Sequence, residues 1–294
     1  MPGGIGNQLF ALFASRYFSE NSKHAIRLDF SSVDRHHAPL GHDIRSLLLK
    51  ESEVNPTYSP SHEFLRHFYY PKNILSRQVL KYLLIQNRKV FDLNLDRVNY
   101  VDQFLIASTK ERKLPLRVSG YFGDFGFYNR LTSANQRIAL KNPSKRFINE
   151  MTKINSVRTL GIHLRLGDFL SSPNSIGILS DSYYTTSIRR FLNDYDRILV
   201  FTNDYRLGKK RIEEWGVNTQ IEILDSNCEN DPLEDLLLMS ACSGLILSNS
   251  TFSFWAGKLS GSERVIYPMP FRKDNLTEIA SIPETWLSHP SAWK

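Results

Sequence analysis

Cysteine is nearly missing from this chain. Two occur in 294 residues, Cys228 and Cys242, too few for a disulfide-stapled secreted scaffold. Cys242 lies in an apolar helical run and reads as core, Cys228 in a polar turn. A reducing compartment is expected, with a single bridge left open. Long apolar runs are missing too. No segment offers the roughly 20 apolar residues of a membrane-spanning helix, and no signal peptide is read ahead of the first motif. These absences predict a cytoplasmic protein that at most visits the cytoplasmic face of the inner membrane through basic side chains. Runs of Lys and Arg interleaved with aromatics are also lacking; KERK at 110–113 is a short solvated loop. The net charge of +7 and pI near 9.3 are therefore too diffuse for nucleic acid and fit anionic small molecules or an anionic membrane. With 41% hydrophobic and 23% charged residues, the composition is that of a globular enzyme, long enough for two domains.

The second half carries the clearer pattern. RTLGIHLRL (158–166), RILVFTN (197–203), TQIEILD (219–225), GLILSN (244–249) and ERVIYP (263–268) are short apolar runs rich in β-branched residues. Helical patterns alternate with them at 181–195, 205–215, 231–242 and 251–260. In the third, Asp231 is placed as N-cap, Pro232 as the first helical residue and Glu234 three past the cap. Strands alternating with helices predict crossover units and a doubly wound parallel sheet, whose ligands sit at the carboxyl ends of the strands. In the first half a Gly turn at 3–8 precedes an amphipathic helix bearing Phe10, Phe13, Ala14, Tyr17 and Phe18. AIRLDF (25–30) and LRVSGYF (116–122) read as strands, and 61–90 as helical and aromatic. The polar stretch 141–157 is the expected boundary. Two α/β lobes with a cleft between them follow, over residues 1–150 and 151–294.

Four groups of residues are candidates for chemistry. In GIHLRLGD (161–168) a period of two puts His163 and Arg165 on one face and Leu164 and Leu166 on the other. A His and an Arg inside an apolar strand point to an anion, with Asp168 following at the carboxyl end; the bland alternative is an Arg165–Asp168 pair supporting the loop. In SNSTFS (248–253) Ser248, Asn249, Ser250, Thr251 and Ser253 crowd a helix start, where capping needs one such residue and a phosphate site uses several. GGIGNQ (3–8) brings the amides of Gly4 and Gly6, and Asn7, near a ligand or the facing lobe. It is also a flawed dinucleotide fingerprint with Asp29 as ribose partner, which keeps open an NAD(P)-dependent oxidoreductase. Asp194-Tyr195-Asp196 has the spacing of a metal-holding carboxylate pair but lies before a strand, so a solvated helix end is the stronger reading. His36, His37, His42 and Asp43 lack metal-ligand spacing and read as a polar loop, with an acceptor contact open. No metal is expected.

Read together and in order, GGIGNQLF, GIHLRLGDF and LLLMSACSGLILSNSTFSFWAGKL resemble glycosyltransferase family 11, the α-1,2-fucosyltransferases, especially the bacterial enzymes of O-antigen assembly. GYFGDFGFYNRL (120–131), SDSYYTTSI (180–188) and PETW (283–286) add to the likeness, which covers nearly the whole chain. The resemblance implies a GT-B-like fold with a C-terminal Rossmann-like lobe that binds the sugar nucleotide and an N-terminal lobe on the acceptor side. It implies GDP-β-L-fucose as donor, a galactoside or lipid-linked oligosaccharide as acceptor, and inverting transfer without a metal or other cofactor. On this likeness Arg165 is the diphosphate clamp, with His163 and Asp168 beside it. Asn249, Ser250, Thr251 and Ser253 lie on the phosphate side, Asp235 reads guanine, and Asn7 faces the reaction centre. Leu166 stands where the family has a second Arg. A silent sugar-nucleotide-binding protein is the remaining alternative.

Overall fold

A computed structural model describes residues 4–21, 28, 30, 43–50, 53, 91–94, 116–119, 122–166, 176–191, 193–217, 220–224, 231–274 and 279–294. Its centre is a six-stranded parallel sheet built from β3 (Thr159–Leu164), β4 (Arg197–Thr202), β5 (Ile221–Ile223), β6 (Gly244–Ile246), β7 (Val265–Met269) and β8 (Leu287–Pro290). The order across the sheet is β5-β4-β3-β6-β7-β8. The first three strands thus run outward on one side of β3 and the last three on the other, so the direction of winding reverses between β3 and β6. At that reversal the connections leave in opposite directions and open a crevice beyond the strand ends. β3 is in register with β4 from Thr159↔Arg197 to Leu164↔Thr202 and with β6 from Leu160↔Gly244 to Ile162↔Ile246.

Parallel strands need crossovers, and helices supply them on both faces. Here α5 (Asp181–Phe191) joins β3 to β4, α6 (Tyr205–Glu213) joins β4 to β5, α7 (Pro232–Ser240) joins β5 to β6, and α8 (Thr251–Ser260) joins β6 to β7. The even-numbered apolar residues of β3, with Ile198, Val200 and Ile246, pack against Tyr183, Tyr184 and Ile188 of α5. The opposite face, with Leu199, Phe201, Leu245 and Leu247, packs against α7 and α8. Sheet positions covered on both sides explain why these strands read as near-continuous apolar runs.

The start of the chain is built into the second face. α1 (Ile5–Asn21) begins inside the glycine motif itself, since the N–H groups of Asn7 and Gln8 donate to Gly4 O at 3.0 and 3.1 Å. Its expected amphipathic character is not what the structure shows. Every residue from Ile5 to Phe18 except Asn7 is buried. Phe10 and Phe13 lie on Trp255 of α8, with ring centroids 4.8 and 4.7 Å apart, and Phe125 meets the same indole edge-on at 4.9 Å. Burying each such ring contributes about 1.5–3 kcal/mol. The helix needs no polar face because α8, α2 (Gly126–Asn129) and α3 (Ser133–Gln136) surround it.

The expected boundary at 141–157 is mostly a helix, α4 (Lys145–Ser156), capped by Ser144, whose Oγ accepts from Phe147 N at 3.0 Å. LRVSGYF yields β2 (Leu116–Ser119), which pairs in parallel with β1 (Phe91–Asn94), a strand not read from the sequence. Most of 25–30, all of 61–90, and Asp29, His36, His37, His42, Asp168 and Cys228 lie outside the described residues. Cys242 is buried as expected, and burial pushes its thiol up to about 12. Among the described residues no helix is long and apolar enough to cross a membrane.

Candidate active site at the strand crossover

The crevice between β3 and β6 receives two of the polar motifs directly. His163, on the last turn of β3's pleat, is 3% exposed, and its Nδ1 is 2.6 Å from Ser248 Oγ, just past the end of β6. Its ring stacks on Phe252 in the first turn of α8, 5.1 Å between centroids. Burial, with the positive charge of Arg165 nearby, holds its pKa down to about 3. His163 is therefore a neutral linker between strand and helix start at physiological pH. Arg165 follows the strand, half-buried, and Leu166 is buried in the α5-side core with Leu164. The expected division of faces holds: the residue standing in place of a second Arg is apolar because it faces packed Tyr183 and Tyr184. Leu166 N donates to Asn203 Oδ1 at 2.8 Å, fixing the chain as it leaves the sheet.

The five polar residues at 248–253 divide their work. Ser248 meets His163. Ser253 Oγ donates back to the carbonyls of Ser248 and Ser250, at 3.1 and 3.0 Å. Asn249 Nδ2 donates to the carbonyls of Ile176 and Gly177. Tyr183, from α5, donates its hydroxyl to Leu247 O at 2.7 Å. Ser250 is the N-cap of α8 in extended conformation (φ −132°, ψ 130°), and its side chain makes no capping hydrogen bond. The capping role that its residue type predicts is therefore unused, while its carbonyl accepts Phe254 N as the helix's first bond. The result is a turn pinned from three sides that presents the N-terminus of a ten-residue helix, with its partial positive charge, against His163 at the end of β3.

The glycine motif arrives at the same place. A Cβ on Gly6 would lie 2.4 Å from Thr251 C and 2.5 Å from Phe252 N and Thr251 Oγ1. These are backbone atoms of another helix and cannot rotate away, so only glycine permits the approach. Two helix N-termini, those of α1 and α8, thus touch, and Asn7 stands half-buried in the first turn of α1 beside this contact. Gly4 is exposed at its start.

Asp235 is placed differently. It lies in the first turn of α7, where Arg146 Nη2 donates to its Oδ1 at 2.7 Å. Its neighbour Glu234 does not reach back within α7 as a capping box would. It accepts from Ser144 N and Oγ at 2.6 and 2.7 Å and so joins the starts of α4 and α7. Asp194 and Asp196 sit at the opposite, amino edge of the sheet, where Arg264 and Arg158 pair with them. Asp43 accepts from Arg45. Among the described residues no group of three or more His, Cys, Asp or Glu is placed to hold a metal ion. Phe252, Tyr183 and Asn203 were not singled out in the sequence; the one local signal was an aromatic between two hydroxyls at 251–253.

The comparisons with known proteins bear on this site. A family model described as "Glycosyl transferase family 11" matches residues 93–281. Among curated proteins, the alpha-1,2-colitosyltransferase of Escherichia coli is 27% identical over 143 residues, 46% of this chain and 48% of that protein. The galactoside alpha-(1,2)-fucosyltransferase 2 of Sus scrofa is 23% identical over 190 residues, 58% of this chain and 55% of that protein. The chain spans about half the length of the curated relatives it matches. Among solved structures, the ADP-heptose lps heptosyltransferase II of E. coli aligns with 98% of this chain and 88% of its own at 11% identity, with a TM-score of 0.46. Because the family model covers well over half of the residues, including β3, the α8 helix start and everything between them, the chain belongs to glycosyl transferase family 11.

Proposed function

We propose that the protein transfers L-fucose from GDP-β-L-fucose to the 2-hydroxyl of a terminal galactose-type sugar, with inversion, forming an α-1,2 linkage in O-antigen or other surface-glycan assembly. The observation that carries this reading is the meeting of the N-termini of α1 and α8 at the carboxyl ends of the strands, with Arg165 directly following β3 in the chain. Such a place stabilises a diphosphate, and a leaving nucleoside diphosphate needs that stabilisation most as it departs. The acceptor oxygen forms a bond to the anomeric carbon while the bond from that carbon to the β-phosphate oxygen breaks. Negative charge grows on the phosphate as the acceptor hydroxyl loses its proton to a base. The Arg165 guanidinium and the N–H groups at the start of α8 favour that developing charge over the ground state, which raises turnover rather than merely tightening binding. Fixed positive charge of this kind takes the part a divalent cation plays elsewhere, so metal independence belongs to the proposal.

In this reading Asn7 faces the reacting centre from an N-terminal acceptor lobe, and Asp235 reads the guanine once it shares Arg146. The dinucleotide alternative loses its context. Its glycine-rich turn belongs after the first strand of the sheet, where this chain has Arg165 and Leu166, whereas Gly4 and Gly6 open α1 and Gly6 serves a helix–helix contact. The protein is also proposed to meet the inner membrane peripherally, through basic side chains in a salt-sensitive way.

The test is a donor and acceptor screen on purified protein with EDTA present, reading product linkage by NMR. Transfer from GDP-fucose to the 2-position of a galactoside is expected. NAD(P)H binding without GDP binding would replace the proposal by an oxidoreductase, and GDP binding without turnover on any acceptor by a silent binding protein.

A further inference from the structure

Asn249 lies in the hydroxyl-rich turn, yet its side chain does not face outward. It is 3% exposed, and both N–H bonds of its amide are directed at main-chain oxygens, Ile176 O at 3.1 Å and Gly177 O at 3.0 Å. The 176–180 segment that receives them is held from behind by residues 292–294. Ser180 N donates to Ala292 O at 2.7 Å and Lys294 N to Ile178 O at 2.8 Å, with Leu179 and Trp293 in an antiparallel bridge. The Trp293 ring lies against Gly177. A Cβ there would sit 2.5 Å from Trp293 Cε3, and φ of +81° independently favours glycine. A continuous line of contacts therefore runs from the turn at 248–250, through the Asn249 amide and the 176–177 backbone, to the indole of Trp293.

We propose that Asn249 is a positioning residue of the donor site rather than a ligand of the nucleotide, and that Trp293 is its distal support. The inference rests on the donor-site reading above. Tyr183, His163 and Ser253 hold the turn to the sheet and to its own helix. Asn249 ties it to a further segment, the backbone at 176–177. Donors aimed at a phosphate stabilise it only as far as their direction is fixed in advance. Trp293 thus sets donor affinity without approaching the donor.

The experiment compares Asn249→Leu, Trp293→Ala, Trp293→Phe and the Asn249→Leu/Trp293→Ala double variant by GDP calorimetry, donor kinetics and hydrogen exchange of the 247–252 amides. Leu is close in size to Asn and uncharged, and it cannot donate. Asn249→Leu and Trp293→Ala are each expected to raise the donor KM and GDP Kd about tenfold, the weight of one or two neutral hydrogen bonds, with the double variant no worse than the poorer single. Trp293→Phe should restore most of the affinity. If Trp293→Ala leaves GDP affinity unchanged while Asn249→Leu weakens it, or if the two effects add, Asn249 is a direct ligand and the proposal fails. If both variants lower only the melting temperature, the clasp is structural and the proposal fails equally. Should the wild-type protein bind no GDP, the donor-site reading falls instead. Exchange then decides the brace alone: faster 247–252 exchange in both single variants supports it, and unchanged exchange overturns it.

Discussion

At the amino edge of the sheet, Asp194 pairs with Arg264 and Asp196 with Arg158, all four side chains about half exposed or more. At the carboxyl edge, His163, Ser248, Asn249 and Ser253 are buried and bond to one another's elements or to main-chain carbonyls. Both edges are rich in polar side chains, and by residue type the amino edge is the more conspicuous, with its two carboxylates spaced for a metal. The difference is where the bonds point. Charges at the amino edge satisfy each other in solvent, which leaves nothing directed at a ligand. At the carboxyl edge polar side chains are taken up in fixing a turn at the start of α8. The candidate site is marked by rigidity and by a helix N-terminus, not by the density of its charges.

The comparison is broken most directly at Arg165. Arg165→Ala should lose about 2.7–4 kcal/mol of transition-state stabilisation, a fall of some hundred- to thousandfold in turnover, as for removal of one preorganised donor. Arg165→Lys should keep the fold and part of the GDP affinity while losing most turnover, because an ammonium cannot donate in parallel to two phosphate oxygens. Leu166→Ala is the counterpart on the other face: about 3 kcal/mol of stability should go with the cavity, while the folded fraction keeps its turnover. Steady-state kinetics beside denaturant melts separate the two. A well-folded Arg165→Ala enzyme with near-normal rates would show that the carboxyl edge is misassigned.

Gly6→Ala comes next. The added methyl meets the α8 backbone, so α1 and α8 must part, at a cost of about 1–3 kcal/mol in stability and with weaker GDP binding. An unchanged melting temperature would remove the reason given for the glycine.

His163 gives a smaller and pH-graded effect. Its folded pKa is near 3 and its unfolded value near 6.5. Above pH 6.5 neither state holds the proton and the neutral imidazole stabilises fully. As pH falls below 6.5 the unfolded chain takes up a proton the folded protein refuses, so this residue's stabilisation declines by about 1.4 kcal/mol per pH unit until roughly pH 3. Urea melts from pH 7 to 5 should show this slope in the wild type and less of it in His163→Gln; equal slopes would place a second proton acceptor in command.

The smallest effect belongs to the amino edge. Asp194→Asn and Asp196→Asn remove exposed, solvent-screened pairs and should leave the melting temperature nearly unchanged, with turnover unchanged in EDTA. A large loss of activity would return the metal reading to that edge.

Much of the second half was legible because buried parallel strands and capped helices write strong local patterns. All five strands read there appear as β3 to β7, and Asp231 caps α7 by accepting from Leu233 N at 2.9 Å. β8 was missed: LSHP carries a Ser, a His and a Pro and lies at the sheet's edge, so neither alternation nor apolar content marks it. α4 was hidden by its polar composition, since the face bearing Phe147, Met151 and Ile154 is narrow. α1 misled in the opposite sense, because a helix surrounded by other helices has no need of the polar stripe the pattern was expected to leave. In the site, residue types gave the two motifs but not their partners. Ser253 turns back on carbonyls three and five positions before it, and whether Asn249 looks outward or toward residue 176 depends on a segment more than seventy positions away.

The burial of α1 has a consequence for the chain as it is made. Phe10 and Phe13 emerge from the ribosome long before Trp255, which covers them both. At translation rates of about 5–20 residues per second, the N-terminal helix waits on the order of ten seconds to a minute before α8 exists to receive it. For that interval an aromatic segment lacks its cover, and the nascent chain must be shielded or held by other, temporary contacts. The arrival of α8 therefore releases α1 from that hazard.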